Sequence, residues 1–201
     1  MSSGRYIQAS GVGLLCVCLS ACTLGTNKAE ALRVHARDAF AANRLNAEGL
    51  ALVEQGAFAQ AEEHFRKALD ADPWHGAAHC NLGVALLKQG KPYNAVWQLQ
   101  YASRLMPRAA QPWANLGILY EITGRYGLAE EQLSAALSLS PGDIEIVGQL
   151  ARLHVRQDKH TENTFAWLQS VATQDADADW RRWARLELIR NENANPILEE
   201  R

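Results

Sequence analysis

The chain is short of most features that mark a specialised composition. It holds 14 Gly and 6 Pro in 201 residues, too few for a collagen-like or Pro-rich linker protein. It lacks an excess of either charge, since 20 Lys plus Arg against 22 Asp plus Glu leave a net charge of -2. That balance excludes the strongly basic stripe expected of a nucleic-acid binder. No Gly-rich phosphate loop, no GxSxG elbow and no locally fixed Ser/His/Asp arrangement is present. No segment alternates polar and apolar residues with a period of two, so strands are not expected. What remains is 48% hydrophobic and 21% charged residues, enough to build an ordinary core.

Cysteine is scarce, and its placement is informative: Cys16, Cys18, Cys22 and Cys80. The first three fall in a distinctive amino-terminal segment. Arg5 precedes an apolar stretch from Ile7 to Leu19, followed by Ser20, Ala21 and Cys22. A short basic region, an apolar run of about 13 residues and then small residues describe an export signal. The run is shorter than the roughly 20 residues of a permanent membrane span. The quartet Leu19-Ser20-Ala21-Cys22 resembles the lipobox of bacterial lipoproteins. That resemblance implies acylation of the Cys22 thiol, cleavage before it and acylation of the new amine, a two-chain anchor that holds stably. Thr23 follows where an Asp would imply inner-membrane retention, so the outer membrane, facing the periplasm, is the expected address. Loss of Arg5 with the signal leaves 19 basic against 22 acidic residues, a charge of -3. Cys80 would then be the sole thiol, and it lies in an apolar helical pattern without a catalytic signature.

Self-similarity organises the rest. Gly49, Gly83 and Gly117 are spaced by 34 residues, as are Gly56, Gly90 and Gly124. The same offset relates Ala61, Ala95 and Ala129; Ala68, Ala102 and Ala136; and Pro73, Pro107 and Pro141. Each column has a physical use. A mid-helix glycine costs about 1 kcal/mol against alanine, so the first set implies close approach of another helix. The second set sits where a left-handed residue ends a helix. The alanines are small contacts on the second helix, and the prolines stop it. Phe58, Ala61, Phe65, Ala68 and Leu69 follow helical spacing.

The chain resembles the tetratricopeptide repeat family, most fully in its third copy through Trp113, Leu116, Gly117, Tyr120, Ala129, Ala136 and Pro141. The first copy departs at Leu45 and Glu48, and the second at His79. The fold class implied is all-α: a right-handed α-solenoid of helix-turn-helix repeats with a C-terminal capping helix. The expected organisation is signal peptide 1–21, lipidated Cys22 and tether 22–41, and repeats at 42–75, 76–109 and 110–143. A degenerate repeat without the glycine and proline columns follows at 144–177, then a capping helix and tail at 178–201. Asp179 is the expected N-cap of that last helix, which carries Trp180, Trp183, Leu186 and Ile189, with Pro196 beyond it. A terminal cap is required because the last repeat otherwise exposes an apolar face.

Candidate chemistry is thin. His75 and His79 are four apart, as metal ligands on a helix are, but no third ligand follows and His75 falls at a turn. Asp175, Asp177 and Asp179 imitate the start of a calcium loop, but Trp180 replaces the turn glycine and Leu186 the bidentate Glu. Glu62–Glu63 and Glu130–Glu131 are adjacent on helices, so the members of each pair diverge by roughly 100° and cannot flank a glycosidic bond. No metal, cofactor or small-molecule substrate is expected, nor a catalytic residue. The six tryptophans are read mainly as core, signature or cap residues, with a sugar-stacking platform as the alternative.

By the family's pattern, the first helix of each repeat lines a concave groove. The resemblance places Asn43, Asn46, Leu50, Val53 and Glu54 there, then Ala77, Cys80, Val84, Leu87 and Lys88, then Gln111, Ala114, Ile118, Glu121 and Ile122. The degenerate copy adds Glu145, Gly148, Arg152, Val155 and Arg156. Leu87, Ile118 and Ile122 should form an apolar strip with Lys88 and Glu121 as charged rims. Such a groove suits a peptide or helix of an envelope protein, unless the chain's own tether or cap fills it. The expected role is a non-enzymatic, lipid-anchored interaction scaffold. Gram-negative lipoproteins of this build include pilus and secretion assembly factors and adaptors of peptidoglycan enzymes, a likeness of architecture. The alternative is an accessory module that binds glycan or regulates a peptidoglycan enzyme.

Overall fold

The computed structural model describes residues 38–194, with side chains to residue 190. Cys22, the export segment, most of the tether and Pro196 lie outside the described residues. Nine helices and no strand occur among the described residues: α1 (Ala39–Glu54), α2 (Phe58–Ala71), α3 (Gly76–Lys88), α4 (Pro92–Leu105), α5 (Ala110–Ile122), α6 (Tyr126–Leu139), α7 (Ile144–Arg156), α8 (Glu162–Gln174) and α9 (Ala178–Ala194). They pair as four antiparallel hairpins and a final helix.

The mid-helix glycines do what their spacing implies. A Cβ on Gly49 would lie 2.5 Å from the Phe65 ring, one on Gly83 2.6 Å from Leu99 Cγ, and one on Gly117 2.5 Å from Leu133 Cγ. Phe65, Leu99 and Leu133 also share the 34-residue offset, so each of the first three hairpins is locked by one large side chain of its second helix against the bare backbone of its first. All three side chains are fully buried. The alanine columns are buried as well, at Ala61, Ala95 and Ala129 and at Ala68, Ala102 and Ala136.

The hairpin turns are equally regular. Gly56, Gly90 and Gly124 have φ of 73°, 73° and 75°. The amide of Ala57 donates to Leu52 O (2.9 Å) and that of Gly56 to Val53 O (2.9 Å), which is the Schellman closure of a helix end. Repeats two and three make the same pair of bonds. The fourth hairpin keeps the closure without the glycine: Asp158 takes the left-handed conformation with φ 56°, and Lys159 N donates to His154 O at 2.9 Å. Asp tolerates this region better than most L-residues. The copy that looks degenerate in sequence therefore preserves the backbone geometry, with Ala151 at the position of the close-approach glycine.

Helix α7 is capped by Asp143, whose carboxylate accepts from Glu145 N and Ile146 N. Thr161 and Thr164 form a reciprocal capping box on α8. The start of α9 corrects the sequence reading. Asp179 lies within its first turn, and Asp177 Oδ1 accepts from Asp179 N at 2.7 Å, so Asp177 supplies the cap. Asp175 Oδ1 in turn accepts from Asp177 N at 2.8 Å.

Helix α1 meets α3, α3 meets α5 and α5 meets α7, whereas no comparable contact joins successive second helices. The stack thus bends with the first helices on its inner side. One apolar core runs through the repeats from Phe65 to Leu153. A second gathers Val147, Ala151, Leu168, Val171 and Ala172 with Ala184 of α9, covered by Trp180 and Trp183. That second core is how α9 closes the apolar end of the stack.

Candidate protein-docking groove

The inner side is not uniform, because the structure divides the predicted lining into packed and open positions. Asn46 is buried, and its Oδ1 accepts from Asn81 Nδ2 at 2.9 Å. One repeat on, Cys80 occupies the Asn46 column, is buried, and receives Asn115 Nδ2 at 3.4 Å. These side chains join adjacent first helices and do not face a ligand. Burial raises the Cys80 thiol pKa, only partly offset by Asn115, which leaves it unreactive. Gln149 continues the donor column, but Ala114 stands where Asn46 and Cys80 stood. Separately, the buried Gln149 Oε1 has no hydrogen-bond partner among the described residues.

Glu121 departs furthest from its expected place. It is not a rim charge: it is 2% exposed, and its carboxylate pairs with Arg152 at 2.7 Å and Arg156 at 3.6 Å. Arg152 also stacks over the Trp180 ring, 5.6 Å from its centroid. Repeat three, repeat four and the cap are thereby joined by one charged side chain. Lys88 and Gln111 are exposed. Val53, Val84, Leu87 and Ile118 are half-buried, with Val53 and Leu87 packed against the core. Leu50 and Ile122 stand open at 41% and 61% exposure. A small cleft of about 80 Å³ between α5 and α7 is lined by Gln111, Ala114, Ile118 and Gln149. A larger one, about 340 Å³, lies between α7 and the start of α9 and is lined by Ile144, Glu145, Gln149, Asp175, Asp177 and Trp180.

His75 and His79 are committed to the scaffold. His75 Nδ1 accepts from Ala78 N at 3.0 Å and caps α3, while Nε2 bonds Asn43 Oδ1 at 3.0 Å. His79 bonds Gln98 Oε1 at 2.7 Å and Pro73 O at 3.0 Å. No group of His, Cys, Asp or Glu among the described residues is arranged to hold a metal. Trp97, 72% exposed, is an exception to the core, signature and cap places read for most of the tryptophans. Helical periodicity places it on the outward face of α4, which is the signal that identifies it.

A stack of helical hairpins with an open inner strip defines a helical-repeat interaction module. Residues 46–104 and residues 110–143 each match a family model of the tetratricopeptide repeat. Those residues carry tetratricopeptide repeats, which are generally non-catalytic protein-interaction modules. Among solved structures, the chain is similar to the first such domain of Spaghetti (RPAP3) bound to the HSP90 peptide SRMEEVD, at 21% identity and a TM-score of 0.59, covering 62% of this chain and 98% of that one. It is similar to MamA from Desulfovibrio magneticus RS-1 at 26% identity and a TM-score of 0.59, covering 67% and 78%. It is similar to Pseudomonas aeruginosa pilF at 24% identity and a TM-score of 0.60, covering 65% of this chain and 59% of that one. No curated protein matches the chain.

Proposed function

We propose that this chain is a non-enzymatic adaptor of the bacterial envelope, lipid-anchored through Cys22 and docking a peptide segment of an envelope protein along its inner face. The observation that carries the docking is the open apolar strip. Leu50 and Ile122 are exposed beside half-buried Val84 and Ile118, and exposed apolar patches rimmed by polar residues mark contact surfaces. A peptide held by a domain of similar fold, the RPAP3 domain with SRMEEVD, supports the mode of binding. The quartet Leu19-Ser20-Ala21-Cys22 supports the anchor, and Thr23 supports an outer-membrane address facing the periplasm.

Two variants test the halves separately. Cys22→Ser abolishes palmitate incorporation if the anchor is correct, and unchanged labelling contradicts it. Ile118→Glu with Ile122→Glu removes two aliphatic contacts worth about 1.5–3 kcal/mol each, so partner affinity falls tenfold or more. A folded double variant that holds its partner at normal affinity contradicts the groove.

A second reading, a glycan-binding accessory module, is favoured by one feature. Arg152, Asp179, Trp180 and Trp183 line an open cleft of about 240 Å³ that presents aromatic faces beside charge. A sugar-dependent change in tryptophan fluorescence, lost in Trp183→Phe, is its test.

A further inference from the structure

The second repeat is unlike its neighbours in two ways. The 48 residues from 73 to 120 contain no Asp or Glu, although the chain has 22, and they contain Lys88, Lys91, Arg104 and Arg108. The outward face of α4 is also aromatic. Tyr93, Trp97 and Tyr101 follow one another at four-residue spacing, about 6 Å apart along the helix. The equivalent columns of α2 and α6 hold Ala59 and Gly127, Glu63 and Glu131, and Lys67 and Ala135. Tyr93 is 79% and Trp97 72% exposed, and no aliphatic residue of α4 is comparably open. Tyr101 is backed by Trp74, its ring stacked at 6.2 Å. Arg104 continues the same helical face and Arg108 follows in the turn. Both are exposed, and neither joins an ion pair among the described residues, whereas Lys91 is engaged by Glu62 at 3.0 Å.

We propose that the outward face of α4 rests on an anionic lipid surface, with Tyr93 and Trp97 at headgroup depth and Arg104 and Arg108 against lipid phosphates. Tyr and Trp are the side chains that settle at a membrane–water interface, and unpaired basic residues are drawn to anionic headgroups. Glu63 and Glu131 on the flanking outward helices confine the contact to one ridge on α4. A ridge this small is useful where another attachment holds it near the surface. The inference rests on the proposed anchor for that proximity: 16 residues separate Cys22 from Ala39, a reach of at most about 55 Å. Docking by the outer side leaves the inner groove free.

The test is tryptophan quenching of the full chain on phosphatidylglycerol–phosphatidylcholine vesicles with brominated acyl chains. All six tryptophans lie between residues 74 and 183, so the amino-terminal segment adds no signal. The expected result is a quenched component that Trp97→Phe largely removes and that Arg104→Glu with Arg108→Glu lowers roughly tenfold, with circular dichroism unchanged. Equal quenching in wild type and Trp97→Phe overturns the proposal, as does indifference to the charge reversal. Shielding of Trp97 from acrylamide without vesicles, growing with protein concentration, assigns the face to a second copy and also overturns it. Palmitate labelling reports the anchor alone: quenching of Trp97 without labelling retires the anchor and upholds the lipid contact, and labelling without quenching does the reverse.

Discussion

Glu121 of α5 and Arg152 of α7 form a 2.7 Å ion pair across a repeat boundary, with the carboxylate buried and the guanidinium partly exposed. Removing one partner of such a pair strands the other, and buried charge left uncompensated is strongly destabilising. Arg152→Met should cost about 3–5 kcal/mol, with Arg156 as a poor substitute at 3.6 Å. Glu121→Gln with Arg152→Met should recover part of that loss. Urea denaturation of the two single variants and the double gives the coupling directly, and additive losses contradict a shared pair.

Glycine tolerance should split by position. Gly117→Ala puts a methyl 2.5 Å from Leu133 Cγ and should cost about 1–3 kcal/mol by overpacking. Gly127 lies in α6 with nothing within 4 Å of its added Cβ, so Gly127→Ala should be neutral or stabilising by about 0.4–1 kcal/mol. Thermal melts of the two variants compare them, and equal shifts contradict the packing.

The fourth turn carries its own prediction. Asp158 holds a left-handed backbone at φ 56° where three sister turns use glycine. Asp158→Gly should stabilise the chain by about 0.5–1 kcal/mol, because an L-residue pays a steric cost there. A lowered melting temperature would show that the exposed Asp158–His160 contact at 2.8 Å matters more than the turn.

Glu62 should contribute to acid sensitivity, together with Glu130 and Glu63, whose pKa values are lowered by hydrogen bonds from Lys159 and Lys67. Burial opposes ionisation of Glu62, but hydrogen bonds from Arg66, Lys91 and Gln89 outweigh that and lower its pKa from 4.5 to about 2. A depressed folded-state pKa contributes stability in full above the unfolded value of 4.5 and loses it as pH falls towards about 2. Glu62→Gln should therefore reduce, but not abolish, the slope of the stability profile between those two pH values and leave its slope near neutrality unchanged, because Glu130 and Glu63 still titrate below their ordinary value. Denaturation midpoints across pH 2–6 check this.

The fold was readable because its backbone demands specific residues at a fixed period. Gly117 needs the space that Leu133 fills, and Gly124 needs a positive φ, so both columns repeat. Substitutes that meet the same demand by other means stay hidden, which is why Asp158 and Ala151 made the fourth repeat look eroded. Partnerships across repeats are also invisible along the chain. Glu121 reads as a rim charge until Arg152, 31 residues later, is placed beside it. Asp177 and Asp179 are both plausible caps by composition, and only the register of α9 separates them. Trp97 falls in a sequence column that neighbouring repeats fill with Glu63 and Glu131, a contrast that gains meaning once α4 is seen to face outward.

The docking account meets its most direct test in site-specific photocrosslinking in the native cell, with a photoreactive residue replacing Ile122, Leu50 or, on the outer side, Glu131. The account predicts that Ile122 and Leu50 positions capture the same segment of one envelope protein and that the Glu131 position captures none of it. Capture from the Glu131 position with none from Ile122 or Leu50 would contradict the groove as the docking surface.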